Sequence, residues 1–338
     1  MLYKILLSLN LNLRKLILIS TILSVSFLFV ISLFILNYVV KQQLIQNSLS
    51  INEKYAAKIA MGVNRDVSNM LQELQYSAQQ LGQNFYNTPL RQAEVKRLKN
   101  QSNNFNSVFM VGQQNQILAY APVSLDLKFH TPYNTAGIVG SLKSKKAYIS
   151  APYWSSKKNL VVLISQPIYD VNQNYKGFIS GTIYLQKNNL ISEMLFNQFD
   201  FKKSYMYVID QQNRIIFHPD SSRIGEKIVN NTGLDYINEN KKGSVRLTNS
   251  LGIDNLAGFA HVPSVNWIVV SQQPTDELLK QANELILKVS IGIFIFYLFI
   301  FFIVWRMSLF ISSPLNRLAK MASMLNRNDI QDKISQVD

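Results

Sequence analysis

The chain has 338 residues, with 34 lysines and arginines, 20 aspartates and glutamates, and a formal net charge of +14. It contains no cysteine, which excludes cysteine nucleophiles, thiolate metal sites and iron–sulfur clusters. The positive charge is dispersed, without a basic helix, zinc spacing or RNA-binding signature. We therefore interpret it as a solvated basic surface and predict no nucleic-acid partner.

The first long apolar run predicts an uncleaved membrane anchor. Residues 16–40 carry no charged side chain, and Lys41 closes the run. At about 1.5 Å per residue, a helix of this length crosses a hydrocarbon core of roughly 30 Å. The apolar region of a signal peptide is shorter, about 7–15 residues, and ends in a small-residue cleavage site. We therefore predict a cytoplasmic segment over 1–15 and a transmembrane helix over 16–40.

A second apolar run predicts a second span over 285–306. Its centre is Val289 to Trp305, which Leu285 to Leu287 extend. Basic residues flank the outer sides of both runs, so the positive-inside rule places both termini in the cytoplasm. Residues 41–285 are then periplasmic or extracellular.

A long helix follows the first span. Apolar residues recur at spacings of three and four up to Phe85, which is typical of an amphipathic helix over 41–88. The distal half of this stripe is expected to pack in a core. The half nearest the membrane has little to pack against except a second copy, so we predict a parallel homodimer through this helix.

Strand and turn signals begin after Pro89, so the outer region is predicted to be α+β. A strand–turn–strand pattern over 105–120 recurs over 204–218, which indicates two successive strand-rich units. Further strands are predicted over 148–153, 160–169, 177–184, 243–247, 256–261 and 267–272, with a helix around 190–196.

These segments resemble the double-Cache family of extracytoplasmic sensors, whose tandem modules are related to PAS domains. The resemblance rests on Val208 to Asp220 with the following Ile224-Gly-Glu-Lys227, on Gly258 to Val270, and on Ala147 to Gly181. It implies two antiparallel-sheet modules behind one long helix, in a receptor that two membrane helices anchor in a bacterial inner (plasma) membrane. The implied boundaries are a distal module over 89–197 and a proximal module over 198–280.

The stretch after the second span resembles the first helix of a HAMP relay, over 307–338. Pro314 suits the first turn of a helix. Leu315, Leu318, Ala322 and Leu325 then form one seam of a parallel coiled coil, which predicts a second homodimer contact.

The resemblance places a small ligand in the distal module. Members that bind amino acids have an Arg-x-Trp-Tyr element for the ligand carboxylate, a strand tyrosine, and an aspartate for the ammonium group. Tyr153 matches the tyrosine, but Thr182 stands at the aspartate position and residues 128–133 contain no Arg-x-Trp. A neutral hydroxyl cannot replace a charge pair for a buried ammonium group. We therefore predict that the ligand is not an α-amino acid.

A set of polar and aromatic residues is expected to line the ligand site, although core packing explains each aromatic equally well. Trp154 is expected at the surface or in a dimer contact, and His218 and His261 are expected to be structural. No catalytic constellation, cofactor motif or metal-ligand spacing occurs, so no enzyme activity, cofactor or metal is predicted within this chain. The candidate ligand-binding residues are Tyr120, His130, Tyr133, Tyr148, Tyr153 and Thr182.

Two functions fit the sequence. The leading hypothesis is the input half of a transmembrane receptor whose output is a diguanylate cyclase, a histidine kinase or a chemotaxis signalling domain. The alternative is a stand-alone membrane-anchored binding protein that acts without an output domain. The sequence does not decide between them.

Overall fold

A computed structural model describes residues 13–101, 104–187, 189–196 and 204–334. The predicted cytoplasmic N-terminus and the last residues of the predicted HAMP segment therefore lie largely outside the described residues. The helices are α1 (Leu13–Gln83), α2 (Thr88–Gln101), α3 (Ala136–Ser144), α4 (Leu190–Phe196), α5 (Leu234–Glu239) and α6 (Thr275–Ile334). The strands are β1 (Ser107–Gly112), β2 (Ile117–Ala121), β3 (Tyr148–Ile149), β4 (Tyr153–Trp154), β5 (Leu160–Tyr169), β6 (Tyr175–Tyr184), β7 (Tyr205–Ile209), β8 (Ile215–Phe217), β9 (Lys242–Thr248), β10 (Asp254–Val262) and β11 (Trp267–Pro274).

The chain forms two compact units. One contains the described residues up to Leu44 together with those from Leu279 onward, and the other contains Ile45–Leu278. The first unit holds the apolar parts of α1 and α6, each long and apolar enough to cross a membrane. Within it the two helices pack through Phe29, whose ring lies 5.0 Å from that of Tyr297, and Ser26 hydrogen-bonds the Tyr297 hydroxyl at 2.9 Å.

The second unit contains two antiparallel sheets. The first sheet has the order β2-β1-β6-β5-β3, with β4 also pairing with β5, and the second has the order β8-β7-β11-β10-β9. The order β2-β1-β6-β5 in the first sheet corresponds to β8-β7-β11-β10 in the second, because in both sheets the strands of the opening hairpin lie beside those of a later hairpin. The predicted duplication of architecture is therefore confirmed. Ten-residue strands β5 and β6 pair along their whole length and form the centre of the first sheet.

Helix α1 packs against both sheets with its apolar stripe. Its buried residues share one core with strand residues of the first sheet, such as Met110 and Ile164, and of the second, such as Phe217 and Val269. The sequence prediction that the membrane half of the stripe has only a second copy to pack against is therefore wrong: Ala56, Ile59, Ala60 and Val63 are buried within one chain. The second sheet, about 150 residues later, supplies the partner surface. Homodimerisation stays a prediction.

Three local predictions also need correction. Strands were expected directly after Pro89, but helix α2 comes first. Pro89 lies in the first turn of α2, a position that its fixed φ suits. The single strand predicted over 148–153 is two short strands, because Pro152 has no N–H to continue the ladder. Pro314 does not begin a separate helix, because α6 runs from Thr275 to Ile334. The fixed φ of proline lies near the helical value, so the helix can continue although Pro314 lacks the N–H for one backbone hydrogen bond.

Candidate ligand-binding site

A cavity lies on the face of the first sheet opposite α1. Alternation along β1 creates it: Val108 and Met110 belong to the core under α1, whereas Ser107 and Phe109 face the cavity. Helix α3 and the loops around residues 125–135 and 155–157 cover it, and about 50 Å³ is accessible to a water-sized sphere. We call it the first-sheet cavity. It is lined by Ser107, Phe109, Ile117, Leu125, Leu127, Tyr133, Thr135, Ile138, Tyr153, Ser155, Ser156, Lys157, Val161, Thr182 and Tyr184.

Tyr153 is held between β5 and α3. On β4 it pairs with Val161, and its ring packs so closely on α3 that a Cβ at Gly137 would lie 2.6 Å from it. Burial raises the pKa of Tyr153 to about 12, and a hydrogen bond with Thr135 partly opposes that rise. The hydroxyl therefore stays neutral and offers the cavity one hydrogen-bonding group without charge.

Thr182 lies at the centre of the cavity wall on β6. It is 4% exposed and pairs with Ser107 across the β1–β6 ladder, where the two hydroxyls make a short hydrogen bond. Both side chains are neutral, so this part of the wall supplies no charge to a ligand.

Lys157 is the charged group of the lining, in the turn between β4 and β5. Its ammonium group donates to the carbonyl oxygen of Asp126 at 3.3 Å, which ties this turn to the loop on the other side of the cavity. Tyr133, in the same covering region, accepts from the Lys128 N–H at 2.9 Å. Among the described residues that line the cavity none is acidic, so a ligand here meets one cation and no anion.

The structure brings three of the six predicted site residues to the cavity wall: Tyr133, Tyr153 and Thr182. Tyr120 and Tyr148 lie in the same apolar cluster but do not line the cavity. Tyr120 stacks on Phe129 at 5.0 Å, and Tyr148 packs against Gly140 of α3. His130 is exposed, has a φ of 57° and also does not line it.

Several lining residues were missed from the sequence. Ser107 and Phe109 carry a usable signal, because they alternate with core residues on a strand beside Thr182. Leu125 ends a three-residue 3-10 helix (Val123–Leu125) and Leu127 lies in the loop after it, and the sequence pattern predicts neither position. Lys157 stands four residues after Tyr153, and the β4–β5 turn that folds it back was not predicted.

The remaining residues singled out from the sequence lie elsewhere. Trp154 is 60% exposed, in agreement with the surface position expected for it. His261 contacts the carbonyl oxygen of Ile237 through Nε2 at 3.0 Å, and His218 is buried in the second sheet.

A family model decides the assignment. The dCache_1 model, described as a Cache domain, matches residues 39–282, which is most of the chain and includes both sheets. The chain belongs to this double-Cache family. No curated protein sequence matches the dCache chain at a significant level.

Solved structures share this fold at low sequence identity. An extracellular ligand-binding receptor from Desulfohalobium retbaense DSM5692 is 12% identical with a TM-score of 0.55; the match covers 64% of the dCache chain and 39% of that receptor. The ligand-binding domain of Mlp24 with asparagine is 17% identical over 73% of the chain and 99% of that domain, with a TM-score of 0.54. The ligand-binding domain of the Pseudomonas fluorescens chemoreceptor CtaA with L-serine is 15% identical over 68% and 99%, also at 0.54.

Proposed function

We propose that this dCache protein senses a small molecule outside the cytoplasm and passes the signal across the membrane as the input half of a receptor. The observation that carries the proposal is a covered cavity in a Cache region flanked by two candidate membrane helices. A ligand that binds one conformation of the cavity better than another shifts the equilibrium between them. The output type stays open among cyclase, kinase and chemoreceptor.

We further propose that the ligand is not an α-amino acid, although Mlp24 and CtaA were solved with amino acids. The support is the lining: Thr182 is neutral, the described lining residues include no carboxylate, and Lys157 contributes a positive charge. A buried ammonium group without an anionic partner costs several kcal/mol. An organic acid, a purine or another metabolite without a free ammonium group fits this environment better.

The test is thermal unfolding of the full chain in detergent against a panel of amino acids, organic acids, purines, amines and sugars. A ligand that binds only the folded state raises the unfolding free energy by about 2.7 kcal/mol at a hundredfold excess over Kd. We expect one class other than amino acids to raise Tm. The cavity-filling variant Ile138→Trp should lose that rise, whereas Val139→Trp, on the exposed side of α3, should keep it.

Two outcomes would count against the proposal. A Tm rise that is equal in wild type and Ile138→Trp would place the ligand outside the first-sheet cavity. No rise with any compound would favour the alternative of a membrane-anchored interaction protein.

A further inference from the structure

The second sheet has a polar cavity of its own, separate from the proposed ligand site. It lies between β7, β11, the residues after β8 and the β9–β10 turn, and about 10 Å³ is accessible to a water-sized sphere. We call it the second-sheet cavity. Its polar lining consists of Tyr205, Tyr207, His218, Arg223, Asn231, Asn249, Ser250 and Gln272.

Two buried side chains of this lining have polar atoms without a hydrogen-bond partner among the described residues. They are Nε2 of His218, which is 7% exposed, and Oε1 of Gln272, which is 1% exposed. Leaving such a group unsatisfied costs about 1–3 kcal/mol, so each indicates a partner within the cavity.

His218 presents a hydrogen-bond donor. Both the N–H and the carbonyl oxygen of Asp220 lie near its Nδ1, at 2.9 Å and 3.1 Å. Because a backbone N–H can only donate and is the nearer of the two, we assign Nδ1 as the acceptor, which places the proton of the neutral ring on Nε2. Burial, with a smaller contribution from Arg223, lowers the pKa of His218 and favours this neutral form.

The two asparagines also turn donors toward the cavity. Oδ1 of Asn249 accepts from the N–H groups of Leu251 and Ile253 at 3.0 Å each. Oδ1 of Asn231 accepts from the Gly233 N–H at 3.0 Å. With their oxygens used by the backbone, both asparagines have only amide N–H groups left. The Asn249 amide also donates to the Tyr205 hydroxyl, which leaves it one N–H for the cavity.

Gln272 can join this donor set. Its Nε2 makes a short hydrogen bond to the Tyr205 hydroxyl, which leaves Oε1 unsatisfied. Because a hydroxyl can donate as well as accept, a half-turn of the amide satisfies Oε1 at Tyr205 and directs Nε2 into the cavity.

Arg223 supplies the charge. Its guanidinium binds Glu226 at 2.8 Å and Ser250 at 3.0 Å, and Glu226 is not part of the lining. No described lining residue is acidic, and the nearest carboxylates, Asp220 and Glu226, lie outside the lining. A small space surrounded by a cation and N–H donors suits an anion better than a cation.

We propose that the second-sheet cavity binds a small monovalent anion of the size of chloride or formate. The anion accepts from His218 Nε2, the Asn231 and Asn249 amides and the turned Gln272 amide, beside Arg223. It joins the segment after β8, the β9–β10 turn and β11, and so adds stability to the second sheet independently of any ligand in the first-sheet cavity.

The test is thermal unfolding of the full chain in detergent at constant ionic strength, with sodium gluconate replaced stepwise by sodium chloride or sodium formate. Bound anion increases the folding equilibrium constant by a factor of 1 + [L]/Kd, about a hundredfold at a hundredfold excess over Kd. We expect Tm to rise with both anions in wild type and in Arg246→Met, but not in Arg223→Met. Arg246 is the matched control, because it pairs with Asp254 at 2.7 Å on the same sheet and does not line the cavity.

Equal Tm in gluconate, chloride and formate would overturn the proposal and leave an ordered water as the occupant. A chloride-dependent rise in Tm of equal size in Arg223→Met and wild type would also overturn the proposal, because it would indicate general salt stabilisation. If Arg223→Met does not fold, chlorine-35 NMR of the wild type is the deciding measurement. Broadening of the chloride line by the protein, reversed when formate is added, would support the site. No broadening, or broadening that formate does not reverse, would overturn the proposal.

Discussion

At the scale of single residues, His218 in the second sheet should make stability depend on pH. Burial lowers the pKa of His218 in the folded chain, so the unfolded chain binds the proton more readily. With gluconate as the only anion, stability is therefore expected to fall as pH decreases through about 6.5, the ordinary histidine value. The charged groups near the ring are Arg223, Asp220 and Glu226. The pKa values of both carboxyls are lowered, chiefly by Ser222 and Arg223 respectively, so they titrate at lower pH.

The measurement is the free energy of unfolding between pH 7 and pH 5. In His218→Asn, whose amide oxygen can still accept from the Asp220 N–H, the fall should be smaller than in wild type. The exposed His130→Asn should retain the wild-type slope. Equal slopes in wild type and His218→Asn would contradict the assignment.

The two cavities differ in how far the sequence predicts them. Family resemblance predicts Tyr153 and Thr182 as site residues, and both line the first-sheet cavity. His130 is a loop residue with positive φ, and such a position has no periodicity from which the direction of its side chain follows. The sequence does not predict the second-sheet cavity, because its donors come from turns whose asparagines look like ordinary turn residues.

At the scale of elements, the long strands and the amphipathic helix could be predicted because their periodicity is local. β5 lies where the apolar run 160–169 placed it, and α4 matches the predicted helix. That the membrane half of the α1 stripe packs against the second sheet could not be predicted, since those strands lie about 150 residues later in the chain. α2 was missed because its polar sequence has no apolar stripe, and only Val95 and Leu98 are buried.

The attachment of α1 to the second sheet is unusually close and polar. A Cβ at Gly258 would overlap the α1 backbone at Asn52 and Glu53. Asn52 is 5% exposed; it accepts from Ser271 at 2.6 Å and donates to the carbonyl oxygen of Leu256 at 3.3 Å. Ser48, one turn earlier, donates to Gln273 at 2.7 Å. A polar contact of this kind fixes the register between helix and strand more specifically than apolar packing.

Removing this contact should destabilise the sensor region. Asn52→Ala leaves buried groups of Ser271 and Leu256 without their partner, at an expected cost of about 1–3 kcal/mol. Ser50→Ala, exposed in the same turn of α1, should change stability by less than about 0.5 kcal/mol. Denaturant unfolding of the two variants measures the difference, and equal stabilities would show that the network contributes nothing.

At the scale of the whole molecule, the proposed membrane orientation predicts which residues are accessible from outside the cell. The chain has no cysteine, so one introduced cysteine reports its own location. Asn172→Cys, in the exposed β5–β6 turn, should react with a membrane-impermeant maleimide in cells whose outer membrane is removed and whose inner membrane is intact. Ser335→Cys should react only after the membrane is permeabilised. The reverse pattern would contradict the proposed orientation.

We propose that the first-sheet cavity binds a ligand without an ammonium group. The most direct measurement compares amino acids with the 2-hydroxy acids of the same carbon skeleton, by the Tm shift of the full chain in wild type and Thr182→Asp. We expect hydroxy acids to stabilise wild type at least as well as their amino acid counterparts, and Thr182→Asp to shift the preference toward the amino acids, because its carboxylate supplies the missing partner. An amino acid that stabilises wild type more than its hydroxy acid, with the preference unchanged in Thr182→Asp, would contradict the account.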